Sequence, residues 1–268
     1  MDKRPDYAAY APSAGELALF ARYCGLLPPA FKAAMEERML GIYFVQGFAS
    51  GGMTDFCFGP EKDSLYLILY LNPKTMQTSL ADWVAYRDAS PYAADSSGLE
   101  LRSSCPGGEA YRGLLQTLVH ESAHAYDYLR RATPYITPNF AGGPGSAAPA
   151  DRDFTRGVWE DYAKPARAYA IPRRGETFSY GLGKAQPLSA ALEQYRALGR
   201  SPFASFYGSG SWAEDFAEAA TWSHLRREFG IGYEVVLTRD GKEELRFSPS
   251  ESRWSEERKK LIEDVLRD

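Results

Sequence analysis

The stretch His120-Glu121-Ser122-Ala123-His124 has the form H-E-x-x-H, and the sequence around it predicts the helix that this motif requires. Neither proline nor glycine interrupts residues 114–133, and the apolar residues there recur at helical spacing. These apolar residues are Leu114, Leu115, Leu118, Val119, Ala123, Tyr126 and Leu129. Histidines four residues apart lie on one face of a helix, so both imidazoles can reach a single metal ion.

These residue types predict a zinc site that hydrolyses peptide bonds. Zinc accepts neutral imidazole nitrogens, and a catalytic zinc takes three protein ligands and one water. Glu121 follows the first histidine and is placed to accept a proton from that water. Only three histidines occur in the chain, and two of them belong to this motif. A chance match to so short a motif is the alternative.

The composition describes an ordinary globular protein and excludes several other classes. Of the 268 residues, 44% are hydrophobic and 25% are charged, and the net charge is -4. No basic tract predicts a nucleic-acid partner, and no apolar run is long enough to span a membrane. The H-E-x-x-H motif, not the composition, predicts a peptide or protein substrate as the partner, and the sequence leaves the oligomeric state open.

The N-terminus and the cysteines leave the cellular compartment unresolved. Residues 1–6 lack the apolar core of a signal peptide, which indicates a cytoplasmic protein. A chain from which a signal peptide has been removed would be secreted or periplasmic instead. Cys24, Cys57 and Cys105 allow at most one disulfide and match no zinc-knuckle or redox spacing. We interpret all three as buried free thiols.

Ahead of the motif, the sequence predicts helices and then a small sheet. Ser13 and Glu16 have the spacing of a capping box, and Gly25 ends the helix that follows. Pro28-Pro29 opens a second helix, which Gly41 ends. The predicted helices are residues 17–24, 30–40 and 80–87; the predicted strands, in a small antiparallel sheet, are residues 42–48, 55–58 and 65–71. Residues 98–108 are expected to be irregular.

After the motif helix, the sequence predicts a loop and then a mainly helical region. Proline and glycine recur through residues 133–149, which excludes regular structure and indicates a domain linker or a loop beside the motif helix. Arg239-Asp240-Gly241 predicts a hairpin turn. The predicted helices are residues 154–162, 188–198, 211–229 and 255–266; the hairpin strands are residues 233–237 and 244–247.

A third zinc ligand must come from elsewhere in the chain, and its position separates the peptidase families. The extended motif H-E-x-x-H-x-x-G-x-x-H fails, because Asp127 stands in place of its glycine and Arg130 in place of its third histidine. A carboxylate from a later helix is the alternative. Glu214 and Glu218 lie one turn apart on the helix at 211–229, and the residues alone do not choose between them.

The segment Y-G-S-G-S-W-A-E-D-F-A-E, from Tyr207 to Glu218, resembles a second signature of the gluzincin group that contains the anthrax lethal factor catalytic domain. The Pro-Pro endopeptidases are similar. The resemblance implies that Glu214 is the third zinc ligand and Tyr207 the electrophilic partner of the reaction. It implies that Glu218 accepts a hydrogen bond from a ligand histidine. The resemblance covers roughly residues 114–129 and 207–220, and the interval between them is longer than in lethal factor.

Each of these positions also has a purely structural interpretation. Ser211 and Glu214 have the spacing of a capping box, in which Glu214 reaches back to a backbone N–H. Glu218 fits an ordinary solvated carboxylate. Tyr207 is one of 18 tyrosines, and composition alone makes it a packing residue.

Other positions stay open in the same way. Asp127 resembles an aspartate that follows the family motif, and it is either a carboxylate beside a ligand histidine or an acceptor for an N–H group. His224 lies well around its helix from Glu214, which favours a surface histidine or a hydrogen-bonded core histidine. Residues 65–71 resemble the edge strand along which zincins bind an extended substrate, or they form a plain core strand.

The motif and the resemblance together imply an α+β, zincin-like fold and one catalytic domain over residues 1–268. Residues 1–100 would supply helices and a small mixed sheet, and residues 101–268 the motif helix and a helical subdomain. The implied function is a zinc-dependent endopeptidase in which Glu121 is the base and Tyr207 stabilises the oxyanion. A zincin-fold binding or regulatory protein with little turnover and a small-molecule metallohydrolase are the alternatives.

Overall fold

A computed structural model of the chain describes residues 6–60, 64–134, 138–139, 143–144 and 153–267. The helices are α1 (Ala14–Cys24), α2 (Pro29–Arg38), α3 (Lys74–Gln77), α4 (Leu80–Ala89), α5 (Gly113–Arg130), α6 (Ser189–Leu198), α7 (Trp212–Phe229) and α8 (Glu256–Arg267). The strands are β1 (Ala8–Ala9), β2 (Met39–Gln46), β3 (Gly52–Phe58), β4 (Leu65–Leu71), β5 (Tyr92–Ala93), β6 (Leu99–Ser104), β7 (Pro138–Asn139), β8 (Gly143–Pro144), β9 (Trp159–Asp161), β10 (Lys164–Pro165), β11 (Gln186–Pro187), β12 (Glu234–Arg239) and β13 (Lys242–Phe247). This mixture fits the α+β class.

Local signals explain the elements that the sequence predicts well. Ser13 and Glu16 form both hydrogen bonds of the expected capping box at the start of α1. Gly230 ends α7 in the left-handed conformation, at a φ of 67°. Asp240 and Gly241 both have positive φ, as a tight turn between β12 and β13 requires. The helices α1, α4, α5, α6, α7 and α8 and this hairpin are confirmed, with small differences at their ends.

Other expectations are wrong. The second helix ends at Arg38 instead of residue 40, because the chain enters β2 directly. Residues 98–108 contain β6, which pairs with the distant β12. Residues 154–162 form turns and β9 instead of a helix, with Gly157 at a φ of 73°. The irregular segment at 133–149 lies mostly outside the described residues, but β7 and β8 form a short antiparallel pair within it.

The first sheet has the strand order β1-β2-β4-β3 and is mixed. β4 lies between β2 and β3, parallel to β2 and antiparallel to β3. The expected antiparallel pairing is therefore wrong for β2 and β4, whereas the mixed sheet implied by the motif and the resemblance is confirmed. The edge-strand interpretation of residues 65–71 is also wrong, because β4 is interior and β3 forms the edge. β6, β12 and β13 form a second, antiparallel sheet.

Helix α5 lies at the centre of the molecule. Every residue from Gly113 to Ala125 is buried, and α5 contacts α2, α4, α7, β3 and β4. Leu67, Leu69 and Leu71 alternate along β4 and supply the buried face of the sheet. Within the described residues, no helix is long and apolar enough to cross a membrane. The cysteines are free thiols, and of the three only Cys105 is fully buried.

Candidate metal centre

The two motif histidines face each other in the middle of α5. The rings of His120 and His124 are nearly perpendicular, and their Nε2 atoms are 3.1 Å apart. Both side chains are almost fully buried. The regular spacing of the helix brings the two nitrogens to one point, as the motif predicts.

Glu214 reaches the same point from the first turn of α7. Its Oε2 lies 3.1 Å from His120 Nε2 and 3.6 Å from His124 Nε2. Ser211 caps the helix by accepting a hydrogen bond from the backbone N–H of Glu214. Only this half of the expected capping box is formed, since the Glu214 carboxylate turns toward the histidines.

These three atoms have the geometry that zinc needs. Tetrahedral zinc with bonds of about 2.0–2.1 Å holds its ligand atoms about 3.3–3.4 Å apart, close to the three distances here. Burial disfavours a charged His120, yet the nearby carboxylates of Glu214 and Glu218 raise its pKa to about 10. The carboxylates thus favour positive charge at this point. His120, His124 and Glu214 could hold a metal ion.

Glu218 lies on the side of His120 that faces away from Glu214. Its Oε1 is 3.1 Å from His120 Nδ1, although the contact lacks the alignment of a good hydrogen bond. Its Oε2 accepts hydrogen bonds from Arg87 and Trp222, both at 2.9 Å. Burial would raise the pKa of Glu218, but the charge of Arg87 together with the contacts to His120 and Ser205 lowers it to about 2. Glu218 is therefore a fully buried anion, not a solvated helix carboxylate.

Glu121 lies between the histidines and the edge strand β3. The hydroxyl of Thr54 is 2.8 Å from Glu121 Oε2 and 2.9 Å from the Glu121 carbonyl oxygen. A Cβ on Gly52 would lie only 2.8 Å from Glu121 Cγ, so glycine permits this close approach of β3. Burial raises the pKa of Glu121, which favours its action as a base.

Tyr207 lies beside His120, with the ring centroids 5.7 Å apart. Burial raises the pKa of Tyr207, so its phenol remains a hydrogen-bond donor at neutral pH. Arg174 fixes the backbone around it by donating to the Tyr207 carbonyl oxygen at 3.2 Å and to Ser209 Oγ at 2.8 Å.

Two other candidates lie apart from this cluster. Asp127 accepts hydrogen bonds from the backbone N–H and the hydroxyl of Thr133, both at 2.6 Å. Of the two interpretations that the sequence leaves open, Asp127 is thus the N–H acceptor, at the end of α5, and not a carboxylate beside a ligand histidine. His224 is buried, and its Nε2 lies 2.8 Å from the carbonyl oxygen of Leu26, as expected of a hydrogen-bonded core histidine.

A cavity of about 430 Å³ opens onto the three candidate ligands, Glu121 and Tyr207. Apart from Glu121, Glu214 and the two histidines, the described side chains that line it are uncharged, and most are aromatic or aliphatic. These include Tyr7, Phe48, Met53, Tyr128, Tyr162 and Leu182. No protein-family model matches the chain, and neither a curated protein nor a solved structure matches it.

Sequence reasoning missed three residues that hold the site together: Thr54, Arg87 and Arg174. None belongs to a motif, and each acts through a contact with a distant part of the chain. The only local signal is that Thr54 stands two residues after Gly52 in an extended segment, which did not indicate a contact with Glu121.

Proposed function

We propose that this protein is a zinc-dependent endopeptidase. The observation that carries the proposal is the convergence of His120 Nε2, His124 Nε2 and Glu214 Oε2 within 3.1 to 3.6 Å beside the carboxylate of Glu121. Zinc bound there would act as a Lewis acid and lower the pKa of a coordinated water. A zincin-like fold of one catalytic domain is part of the same proposal, supported by the motif helix packed against a mixed sheet.

The chain's own residues have separate roles in this reaction. Glu121 accepts a proton from the attacking water and passes it to the leaving amine. Tyr207 donates its phenolic hydrogen to the oxygen of the scissile carbonyl as negative charge develops there. Thr54 holds the Glu121 carboxylate against the edge strand.

The cavity lining favours peptides with uncharged side chains beside the scissile bond. A charged substrate side chain would find no opposite charge among the aromatic and aliphatic wall residues that the structure describes, and burying an unpaired charge is costly. The exposed edge strand β3 borders the same cavity through Gly52, Met53 and Thr54, and an extended peptide can pair with such an edge.

A binding protein with zinc but little turnover has no need of Glu121 and Tyr207 beside the ligands.

Cleavage of a mixed peptide library, combined with elemental analysis after zinc reconstitution, tests the proposal. We expect about one zinc per chain and cleavage beside uncharged residues. Glu121→Gln removes the base and no ligand, so it should keep the metal and lose hydrolysis. Near wild-type turnover by this variant would contradict the mechanism. A wild-type chain that binds zinc and leaves every peptide intact would favour the binding protein, or a hydrolase of small molecules.

A further inference from the structure

Arg87 is fully buried on α4, between two carboxylates. Its Nε donates to Asp88 Oδ1 and its Nη1 donates to Glu218 Oε2, each at 2.9 Å. All of these side chains are almost completely removed from solvent. A buried guanidinium is strongly unfavourable unless it is paired, so the two carboxylates determine where Arg87 lies.

Asp88 fixes the arginine from the side that is remote from the zinc site. Its Oδ2 accepts hydrogen bonds from the Ser103 hydroxyl of β6 and from the Tyr233 hydroxyl, both at 2.8 Å. The second sheet therefore holds Asp88, and Asp88 holds Arg87. The guanidinium then presents Nη1 to Glu218 in a fixed direction.

Glu218 in turn contacts the candidate ligand His120. With Oε2 held by Arg87 and Trp222, its Oε1 faces His120 Nδ1 at 3.1 Å and Gln116 Nε2 at 3.3 Å. A carboxylate beside Nδ1 favours the tautomer with the proton on that nitrogen. The lone pair of Nε2 is then free for a metal.

We propose that Arg87 is a positioning residue for the zinc ligand His120, and that it acts by fixing the carboxylate of Glu218. This inference rests on the proposed zinc site. A purely structural role would join α4 to α7, and loss of Arg87 would then lower stability without changing the zinc affinity of the folded chain.

The chain offers a matched control. Arg258 is also fully buried and pairs with Asp215, three residues before Glu218 on α7, and its other contacts are with Phe154 and Trp254. Arg87→Met and Arg258→Met each remove one buried guanidinium. For the folded full-length variants we would measure the zinc Kd by chelator competition. The visible spectrum of the cobalt-loaded protein would report the ligand geometry.

Arg87→Met should weaken zinc binding by about 10–100-fold and change the cobalt spectrum, while Arg258→Met leaves both nearly unchanged. Arg87→Lys should keep part of the zinc affinity, and it replaces Arg87→Met as the test variant if Arg87→Met does not fold. The double variant with Glu218→Gln should lose little beyond Glu218→Gln alone, because Arg87 acts through Glu218.

Three outcomes would overturn the inference alone: wild-type zinc affinity in the Arg87 variants, an equal loss in Arg258→Met, or additive losses in the double variant. A wild-type chain that binds no zinc would contradict the proposed function and the inference with it. Wild-type zinc binding therefore separates the two kinds of failure.

Discussion

The two segments that bring the candidate ligands together hold their side chains in different ways. His120 and His124 stand in the middle of α5, where regular helical geometry sets their spacing. Glu214 stands in the first turn of α7, just after the 3-10 turn Gly208–Gly210. The positions of the two histidines depend on local sequence, whereas the position of Glu214 depends on where the preceding irregular segment lies.

Distant residues place that irregular segment. Arg174 binds the carbonyl oxygen of Tyr207 and the hydroxyl of Ser209, and the backbone N–H of Trp212 donates to the Tyr162 carbonyl oxygen at 3.0 Å. The motif on α5 can thus be recognised in the sequence, but the half of the site that completes it depends on tertiary contacts. Substitutions in the two halves should therefore differ in kind.

The largest effect is expected at the start of α7. Glu214→Ala should nearly abolish tight zinc binding, because it removes one of the three proposed ligands. Glu218→Ala should weaken binding only by about 10–100-fold, because Glu218 lies beyond His120 and is held by Arg87. Zinc Kd values from chelator competition check both. A larger loss of zinc affinity in Glu218→Ala than in Glu214→Ala would identify Glu218 as the ligand. The role proposed for Tyr207 would then be wrong as well.

The elements that the sequence predicts correctly carry their own local signals. Ser211 caps the start of α7, Gly230 ends it, and Asp240-Gly241 forms the turn of the hairpin. The strand β6 was missed because its partner β12 follows much later in the chain. The parallel pairing of β2 with β4 was missed for a related reason: β4 returns between β2 and β3, and short turns do not reveal that order.

The residues of the candidate site likewise differ in whether the sequence predicts them. His120, Glu121 and His124 follow from helical spacing, and the family resemblance adds Tyr207 and Glu214, which line the same cavity. Arg87 could not be predicted, since an arginine on a short helix is usually exposed. Its burial is tolerable because it pairs with the neighbouring Asp88 and with Glu218, which follows much later in the chain.

The second largest effect is expected at Tyr207. Tyr207→Phe keeps the ring beside His120 and removes the hydroxyl donor, so kcat should fall by about 10²–10³-fold. Zinc affinity should stay at its wild-type value, because the phenol is not among the candidate ligands. Steady-state kinetics on a peptide from the library, with the zinc Kd as a control, check this. An unchanged kcat would restrict Tyr207 to packing.

A smaller effect is expected where Arg174 fixes the irregular segment. Arg174→Met removes the hydrogen bonds to Tyr207 and Ser209 and lets both the phenol and Glu214 shift, so kcat should fall by about 10–100-fold. The exposed neighbour Arg173 provides the control, and Arg173→Met should leave kcat almost unchanged. Equal kinetics for both variants would show that the segment holds its own shape.

The smallest effect is expected on the α5 side, where the helix itself supplies most of the order. Thr54→Val keeps the shape of the side chain and removes the hydroxyl that reaches the Glu121 carboxylate. The loss of about 1 kcal/mol should lower kcat about fivefold, with the zinc Kd unchanged because Glu121 is not a ligand. Thr54→Ser keeps the hydroxyl and should retain near wild-type kcat. If Thr54→Val costs as much as Tyr207→Phe, α5 depends on outside contacts as strongly as the start of α7 does. The contrast between the two segments would then be wrong.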